Sequence, residues 1–318
     1  MDDDMQYDFF LAEDALFPKM VVVSITNICN YLCTQCFYPR YIKQPEYHRH
    51  DMVMAVFCRI ADELGRHHSS ILRFIAWGEP LLHPDVVEFM QYARRVAPGN
   101  LVTLITNGYW LTPDRSHALM AAGLNLVEIS IDAATPETYH RVRVSCNPDA
   151  FSKVEQNVKK MVSQRNNFEF RTRIVVSFIV YPSKESEAEY VLFEQKWNGI
   201  ADEIIRRPVH TFKGSVQLIK KQMSAPRPPC YGLWARCNIN PWGQVNVCYN
   251  DWENKYVLGD LRNPATSIAS IWQGRILTRL RAAQCKGVFE GICAGCHDYN
   301  PDAWSHPYEQ VVSRCYIK

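Results

Sequence analysis

The sequence predicts an α/β fold, a parallel sheet wrapped by helices. Three observations predict it. Six strand-like apolar runs alternate with helix-periodic segments between residues 20 and 207. Polar turns of chemical interest follow several of those runs, where the C-terminal ends of parallel strands would place them. Across 318 residues, 47% are hydrophobic and 21% charged, which supports a large buried core and excludes disordered or collagen-like chains.

Residues 20–26 (MVVVSIT) read as a buried strand, and a cysteine-rich loop follows directly. Residues 52–64 carry apolar positions at helical spacing. Residues 71–76 are strand-like and end in Trp77-Gly78-Glu79-Pro80. A helix over 84–96 leads to a strand over 101–106, closed by the turn pair Asn107-Gly108. A helix over 113–122 stops at Gly123. The strand 126–131 ends at Asp132. Then come a helix over 151–164, a strand over 171–180, a helix over 186–197 and a short strand over 203–207. The alternation alone fits either a doubly wound sheet or a partial barrel. Beyond residue 217 the chain turns basic and Pro-rich (KKQMSAPRPPC), as a linker does. Residues 238–248 then read as a hairpin turning at Trp242-Gly243, and residues 267–281 as a helix.

Charge excludes some classes. There are 35 Lys+Arg against 33 Asp+Glu, a formal charge of +2, which gives no general attraction to nucleic acid or anionic membrane. No run approaches the roughly 18 apolar residues of a membrane span. The N-terminus MDDDMQYDFF lacks the basic-then-apolar order of a signal peptide, so a cytoplasmic location is expected.

Twelve cysteines are the strongest clue. In a reducing compartment grouped cysteines bind metal or do redox work. Cys29-x3-Cys33-x2-Cys36 sits just after the first strand. Three soft thiolates this close suit an iron–sulfur cluster and leave one iron open, whereas structural zinc normally takes four protein ligands.

This loop resembles the cluster-binding loop of radical S-adenosylmethionine (SAM) enzymes, and the resemblance continues in order along the chain. Ala76-Trp77-Gly78-Glu79-Pro80 looks like the family's Gly-Gly-Glu-Pro turn, which implies a contact of Glu79 with the methionine amine of SAM. Asn107 of Thr-Asn-Gly, and Ser130 and Asp132 of Ser-Ile-Asp-Ala, sit where the family contacts the ribose and nearby groups. Arg141, Arg143 or Arg173 is then the partner of the SAM carboxylate. Gln35, before the last cysteine, and Trp77, in place of the first glycine, depart from the pattern without removing a cluster ligand. The resemblance implies a partial (β/α)6 TIM-like barrel, a SAM-binding [4Fe-4S] cluster and an external one-electron donor such as flavodoxin or ferredoxin. It also implies cleavage of SAM to a 5′-deoxyadenosyl radical, with the protein binding, orienting and excluding water.

A second block reads Cys230-x17-Cys248 and then Cys293-x2-Cys296. It resembles a SPASM or shortened twitch extension, which implies an auxiliary [4Fe-4S] cluster on Cys230, Cys248, Cys293 and Cys296, with Cys237 as an alternate ligand. The expected division is a radical SAM core over 1–216 and the auxiliary-cluster domain over 217–318. Spacing alone also permits a four-cysteine zinc site.

Two enzymatic outcomes remain open. Hydrogen abstraction from a carbinol C–H, followed by loss of a proton and an electron to the auxiliary cluster, gives a ketone. Return of hydrogen from a cysteine thiol gives an epimer; Cys237 is the first candidate donor, with Cys146, Cys285 and Cys315 behind it. The first strand begins near Met20, so no separate leader-peptide domain is expected and a small molecule is favoured. The resemblance points to aminoglycoside- and aminocyclitol-modifying dehydrogenases and epimerases, hence to an aminoglycoside, aminocyclitol or sugar-like substrate, with a short peptide as the alternative. A cationic aminosugar would need carboxylates, and Asp251, Glu253, Asp298 and Asp302 are available. The non-enzymatic alternative, a zinc-stapled binding module, leaves the three-cysteine loop unexplained.

Overall fold

The structure, a computed structural model, describes residues 16–75, 77–144, 147–212, 227–296 and 298. The six predicted strands form: β1 (Met20–Val23), β2 (Ile71–Phe74), β3 (Leu101–Thr106), β4 (Leu126–Ser130), β5 (Arg173–Val180) and β6 (Glu203–Pro208). Each pairs in parallel with the next in sequence, and the sheet does not close. This is a partial (β/α)6 barrel. Parallel neighbours need long crossovers, and helices supply them. These are α1 (Tyr38–Tyr41), α2 (Met54–Leu64), α3 (Val86–Val96), α4 (Pro113–Ala121), α5 (Pro136–Val142), α6 (Ala150–Asn167) and α7 (Lys184–Trp197).

Strand alternation divides the core. Val21, Leu72, Val102, Val127 and Ile174 face the helices in one large apolar cluster. Met20, Val22, Leu101, Leu126, Val175 and Ile205 face inward and plug the N-terminal end of the barrel. The plug closes that end, so the open space lies toward the C-terminal strand ends.

The C-terminal block continues the same sheet. After α8 (Gly232–Ala235), β7 (Arg236–Ile239) pairs in parallel with β1, matching Met20 to Arg236 and Val21 to Cys237. β8 (Gln244–Asn246) and β9 (Val257–Asp260) follow antiparallel. The predicted hairpin is therefore present, and Gly243 takes φ 81° at its turn. β7 covers what would be an open edge of β1.

Two readings need correction. The helix predicted over 267–281 is two helices, α9 (Ile268–Trp272) and α10 (Arg275–Cys285). The break is at Gly274, whose extended backbone caps α10; a Cβ there would stand 2.9 Å from the Ile271 carbonyl oxygen. Helix α5 was not foreseen, although Thr135 accepting from the Thr138 N–H, with Pro136 at the first helical position, is a local start signal. The expected boundary at 216/217 and its linker lie outside the described residues. No described helix is long and apolar enough to cross a membrane.

Candidate functional site

The loop after β1 is held from several sides. Asn27 donates to the His48 carbonyl at 2.7 Å and accepts from the His50 N–H at 2.7 Å. The Cys29 N–H donates to the Tyr38 hydroxyl at 2.9 Å. The loop presents Cys29, Cys33 and Cys36 to a cavity of about 260 Å³ at the C-terminal ends of the strands. Arg143 Nη1 donates to Cys33 Sγ at 3.6 Å, and the Tyr38 N–H to Cys36 Sγ at 3.4 Å. Such donors stabilise thiolate sulfur and tune a bound cluster. Burial pushes all three thiols above their ordinary value, Cys36 up to about 12. They therefore give up protons on taking iron. Three convergent soft donors in a roomy cavity fit a cluster with one open iron.

The Gly-Glu-Pro turn packs directly on this loop. The Glu79 N–H donates to the Ile28 carbonyl at 2.8 Å. A Cβ on Gly78 would lie 2.5 Å from the Ile28 oxygen and 2.8 Å from the Thr26 oxygen, so only glycine permits the approach. Gly78→Ala is expected to displace the cysteine loop. Reconstituted protein should then lose iron and SAM cleavage together; full iron content with wild-type cleavage would contradict this packing. Trp77 turns away from the cavity into an aromatic cluster with Tyr41 and Trp242, at ring distances of 5.7 and 5.9 Å.

Glu79 is 3% exposed and is engaged by the chain itself: by the Thr106 hydroxyl at 2.6 Å, the Asn107 N–H at 2.8 Å and the Leu81 N–H at 3.1 Å. Burial raises its carboxyl above the ordinary value, against those donors. Glu79 thus ties the turn to the end of β3. Asn107 Nδ2 donates to Asn30 Oδ1 at 2.9 Å, which ties β3 to the cysteine loop.

Asp132 ends β4 at φ 60°, a left-handed conformation that Asp tolerates better than most residues. That turn aims its carboxylate back over the sheet. Oδ1 accepts from the Ile179 N–H at 2.9 Å; Oδ2 accepts from Gln35 at 2.8 Å and from Arg143 at 2.5 Å. Arg143 also donates to the Ser130 carbonyl and hydroxyl, each at 2.6 Å. Burial works against the Arg143 charge, but Asp132 and Cys33 outweigh it and hold the guanidinium above its usual value. Gln35, the departure from the family pattern, thereby joins the cysteine loop to Asp132.

The structure separates other candidates from this cavity. Arg141 is exposed on α5 and reaches Thr138 at 3.4 Å. Arg173 opens β5 at the N-terminal end of the barrel and pairs with Glu203 at 3.3 Å. Neither lines the cavity, so Arg143 is the candidate that remains. Cys237 is 3% exposed on β7 within the core and lines neither cysteine cavity. Cys285 is exposed at the end of α10. Cys146, Cys315 and Asp302 lie outside the described residues. Asp251 binds the Tyr256 N–H at 2.7 Å and the Lys255 N–H at 3.0 Å within the β8–β9 connection. Glu253 pairs with Lys255, and Asp298 holds the Thr211 N–H at 2.8 Å. None of these three carboxylates lines the central cavity.

Cys230, Cys248, Cys293 and Cys296 line a second cavity of about 50 Å³. The Asn250 N–H donates to Cys248 Sγ at 3.5 Å, and the Asp298 N–H to Cys296 Sγ at 3.3 Å. Burial pushes Cys293 up to about 12 and Cys296 up to about 11. Four thiols around a void, with N–H···S donors, fit a four-thiolate cluster. Arg236, Asn238 and Tyr249 line both cavities and form the wall between them.

A family model described as the Radical SAM superfamily matches residues 23–194, more than half of the chain. The chain belongs to the radical SAM superfamily. A SPASM model, described as an iron-sulfur cluster-binding domain, matches residues 230–297. The cofactors of this radical SAM enzyme are therefore SAM and [4Fe-4S] clusters, with the auxiliary cluster in the SPASM domain. Among sequence relatives, the AdoMet-dependent heme synthase of Methanosarcina barkeri is 30% identical over 160 residues, covering 50% of this chain and 43% of that protein. The GTP 3′,8-cyclase of Microcystis aeruginosa is 24% identical over 183 residues, covering 55% and 53%. The chain thus spans about half the length of these relatives. Among solved structures, BtrN in complex with AdoMet and 2-DOIA aligns at TM-score 0.59 and 16% identity, covering 88% of this chain and 93% of that one. Streptococcus suis SuiB bound to precursor peptide SuiA aligns at TM-score 0.60 and 12% identity, covering 82% and 66%. At these identities the likeness is one of fold.

The strand-end features were legible in sequence, and Gln35 was visible as a departure from the family pattern, but Asn30, Asn238 and the inward-facing Arg73, Glu128 and Arg207 were not foreseen. For Arg73 and Glu128 a signal existed: a lone charge within each of the buried strands ILRF and LVEIS.

Proposed function

We propose that this radical SAM enzyme oxidises a carbinol C–H of a small sugar-like molecule, of the aminocyclitol or aminoglycoside type, to a ketone. Cys29, Cys33 and Cys36 hold the SAM-binding cluster; Cys230, Cys248, Cys293 and Cys296 hold the auxiliary one. When bound, the first cluster with SAM supplies hydrogen-atom abstraction and the auxiliary cluster a one-electron sink. A flavodoxin or ferredoxin is the reductant this reading calls for.

The observation that carries the reading is the shared wall. Arg236, Asn238 and Tyr249 border both the substrate-sized cavity and the four-cysteine cavity. A two-electron oxidation needs an electron acceptor next to the substrate, and epimerisation needs a hydrogen donor there. Among the described residues, the cysteines lining the central cavity are the three of the cluster loop. The chain's own part is positional. Arg143, Asp132 and Gln35 fix the cysteine loop against β4, Glu79 and Asn107 fix it against β3, and the apolar plug shuts water out from below. His210 lines the cavity and is an imidazole able to take the hydroxyl proton.

Cys248→Ala is the test. The variant should keep SAM cleavage, drop from about eight to about four iron per chain, and yield no ketone from a panel of aminocyclitols and sugars that the wild type oxidises. Deuterium from solvent at the reacting carbon of an otherwise unoxidised product would overturn the reading in favour of epimerisation.

A further inference from the structure

The buried face of α10 runs Leu277, Leu280, Gln284, at the three- and four-residue spacing of a helix stripe. Leu277 and Leu280 join the main apolar cluster. Gln284 is 2% exposed on the same face. A primary amide in such a place costs free energy unless its polar atoms are paired. Packing alone would favour another leucine there, so the amide needs a chemical reason.

Its partners supply one. Gln284 Oε1 accepts the Cys230 N–H at 2.8 Å. Nε2 is buried and makes no hydrogen bond of normal geometry. It stands beside the Cys293 thiol and favours its thiolate form against the burial that pushes the group up. One side chain therefore touches two of the four cysteines, which come from separate segments. Cys248 and Cys296 take donors from backbone N–H groups two residues on, those of Asn250 and Asp298. At Cys293 the donor is a side chain from another element.

Hydrogen bonds to sulfur are one of the levers on a cluster's reduction potential. The reduced cluster carries more negative charge on its sulfurs, so an N–H aimed at them favours reduction. Losing that N–H lowers the midpoint potential.

We propose that Gln284 is a positioning residue of the auxiliary-cluster site: Oε1 holds the Cys230 backbone in place, and Nε2 donates to sulfur at Cys293 and raises the cluster's affinity for an electron. The inference rests on the proposed ligand set of Cys230, Cys248, Cys293 and Cys296. Its direction is the one an electron sink needs.

The test uses the full chain carrying Cys33→Ala, reconstituted anaerobically, so that the auxiliary cluster is the one read. Gln284→Leu is added to this background. Gln284→Met, flexible and of similar volume, serves if the leucine variant does not fold. Midpoint potential is taken from a redox titration followed by electron paramagnetic resonance, and iron loss to a chelator is timed on the oxidised protein. Melting temperature of the apo-protein reports folding. The expected result is a midpoint potential below that of the background, with iron lost about tenfold faster. Folded variants that take up no iron, beside a background that does, would support the holding role in its strongest form. A midpoint potential at or above that of the background overturns the inference, and a lowered melting temperature beside it would make Gln284 a packing residue only. Cys248→Ala in the same background checks the ligand set. If it keeps the auxiliary iron, the ligand set falls, and with it the proposed function. If it loses the iron while the Gln284 variants match the background, this inference alone falls.

Discussion

Cys33→Ala abolishes SAM cleavage and lowers reconstituted iron from about eight to about four atoms per chain. Cys33 is the middle thiol of the loop, 7% exposed, with Arg143 donating to its sulfur. The oxygen donors nearby are already engaged: Glu79 by Thr106 and Asn107, Asp132 by Gln35 and Arg143. No second soft donor among the described residues can replace it. The substitution removes one sulfur from a loop otherwise held by Asn27, Tyr38 and Glu79, so the fold should persist. Iron analysis with a SAM-cleavage assay under strong reductant checks this. Wild-type cleavage in the variant would end the assignment of the first cluster.

Arg143→Ala has the second largest effect, and it acts first on stability. Asp132 is 2% exposed and 2.5 Å from the guanidinium. Removing the cation leaves a buried carboxylate with Gln35 and the Ile179 N–H as its remaining donors. Breaking one side of a buried pair costs about 3–5 kcal/mol, which is on the order of 10 °C in melting temperature for a chain of this size. Arg143→Lys keeps the charge but loses the fork that reaches Ser130, Asp132 and Cys33 together, so it should fall between the two. Thermal unfolding of the apo-protein reads this without any cluster. A melting temperature equal to wild type would mean that the pair does not hold β4 to the cysteine loop.

Much of the site was readable because its parts are local. Cys29, Cys33 and Cys36 lie within eight residues, and each motif falls at the end of a strand. Alternation of apolar runs is also local, and it led to all six barrel strands. The departures at Gln35 and Trp77 were visible too, but their meaning was not. Gln35 matters through Asp132, 97 positions away, and Trp77 through an aromatic cluster reaching Trp242.

The sequence by itself determined the strand–helix alternation, the two cysteine groups and the order of the motifs, because spacing and periodicity act over a few residues. Tertiary structure decided which members of similar pairs matter. Arg141 lies in the last turn of α5 and meets solvent, whereas Arg143 caps that helix with a non-helical backbone and meets the cavity. Cys237 has the makings of a ligand or hydrogen donor, but register with Val21 of β1 buries it in the core. Arg73, Glu128 and Arg207 converge from three strands across separations of 55 and 79 residues. Only the curvature of the barrel brings them to one point.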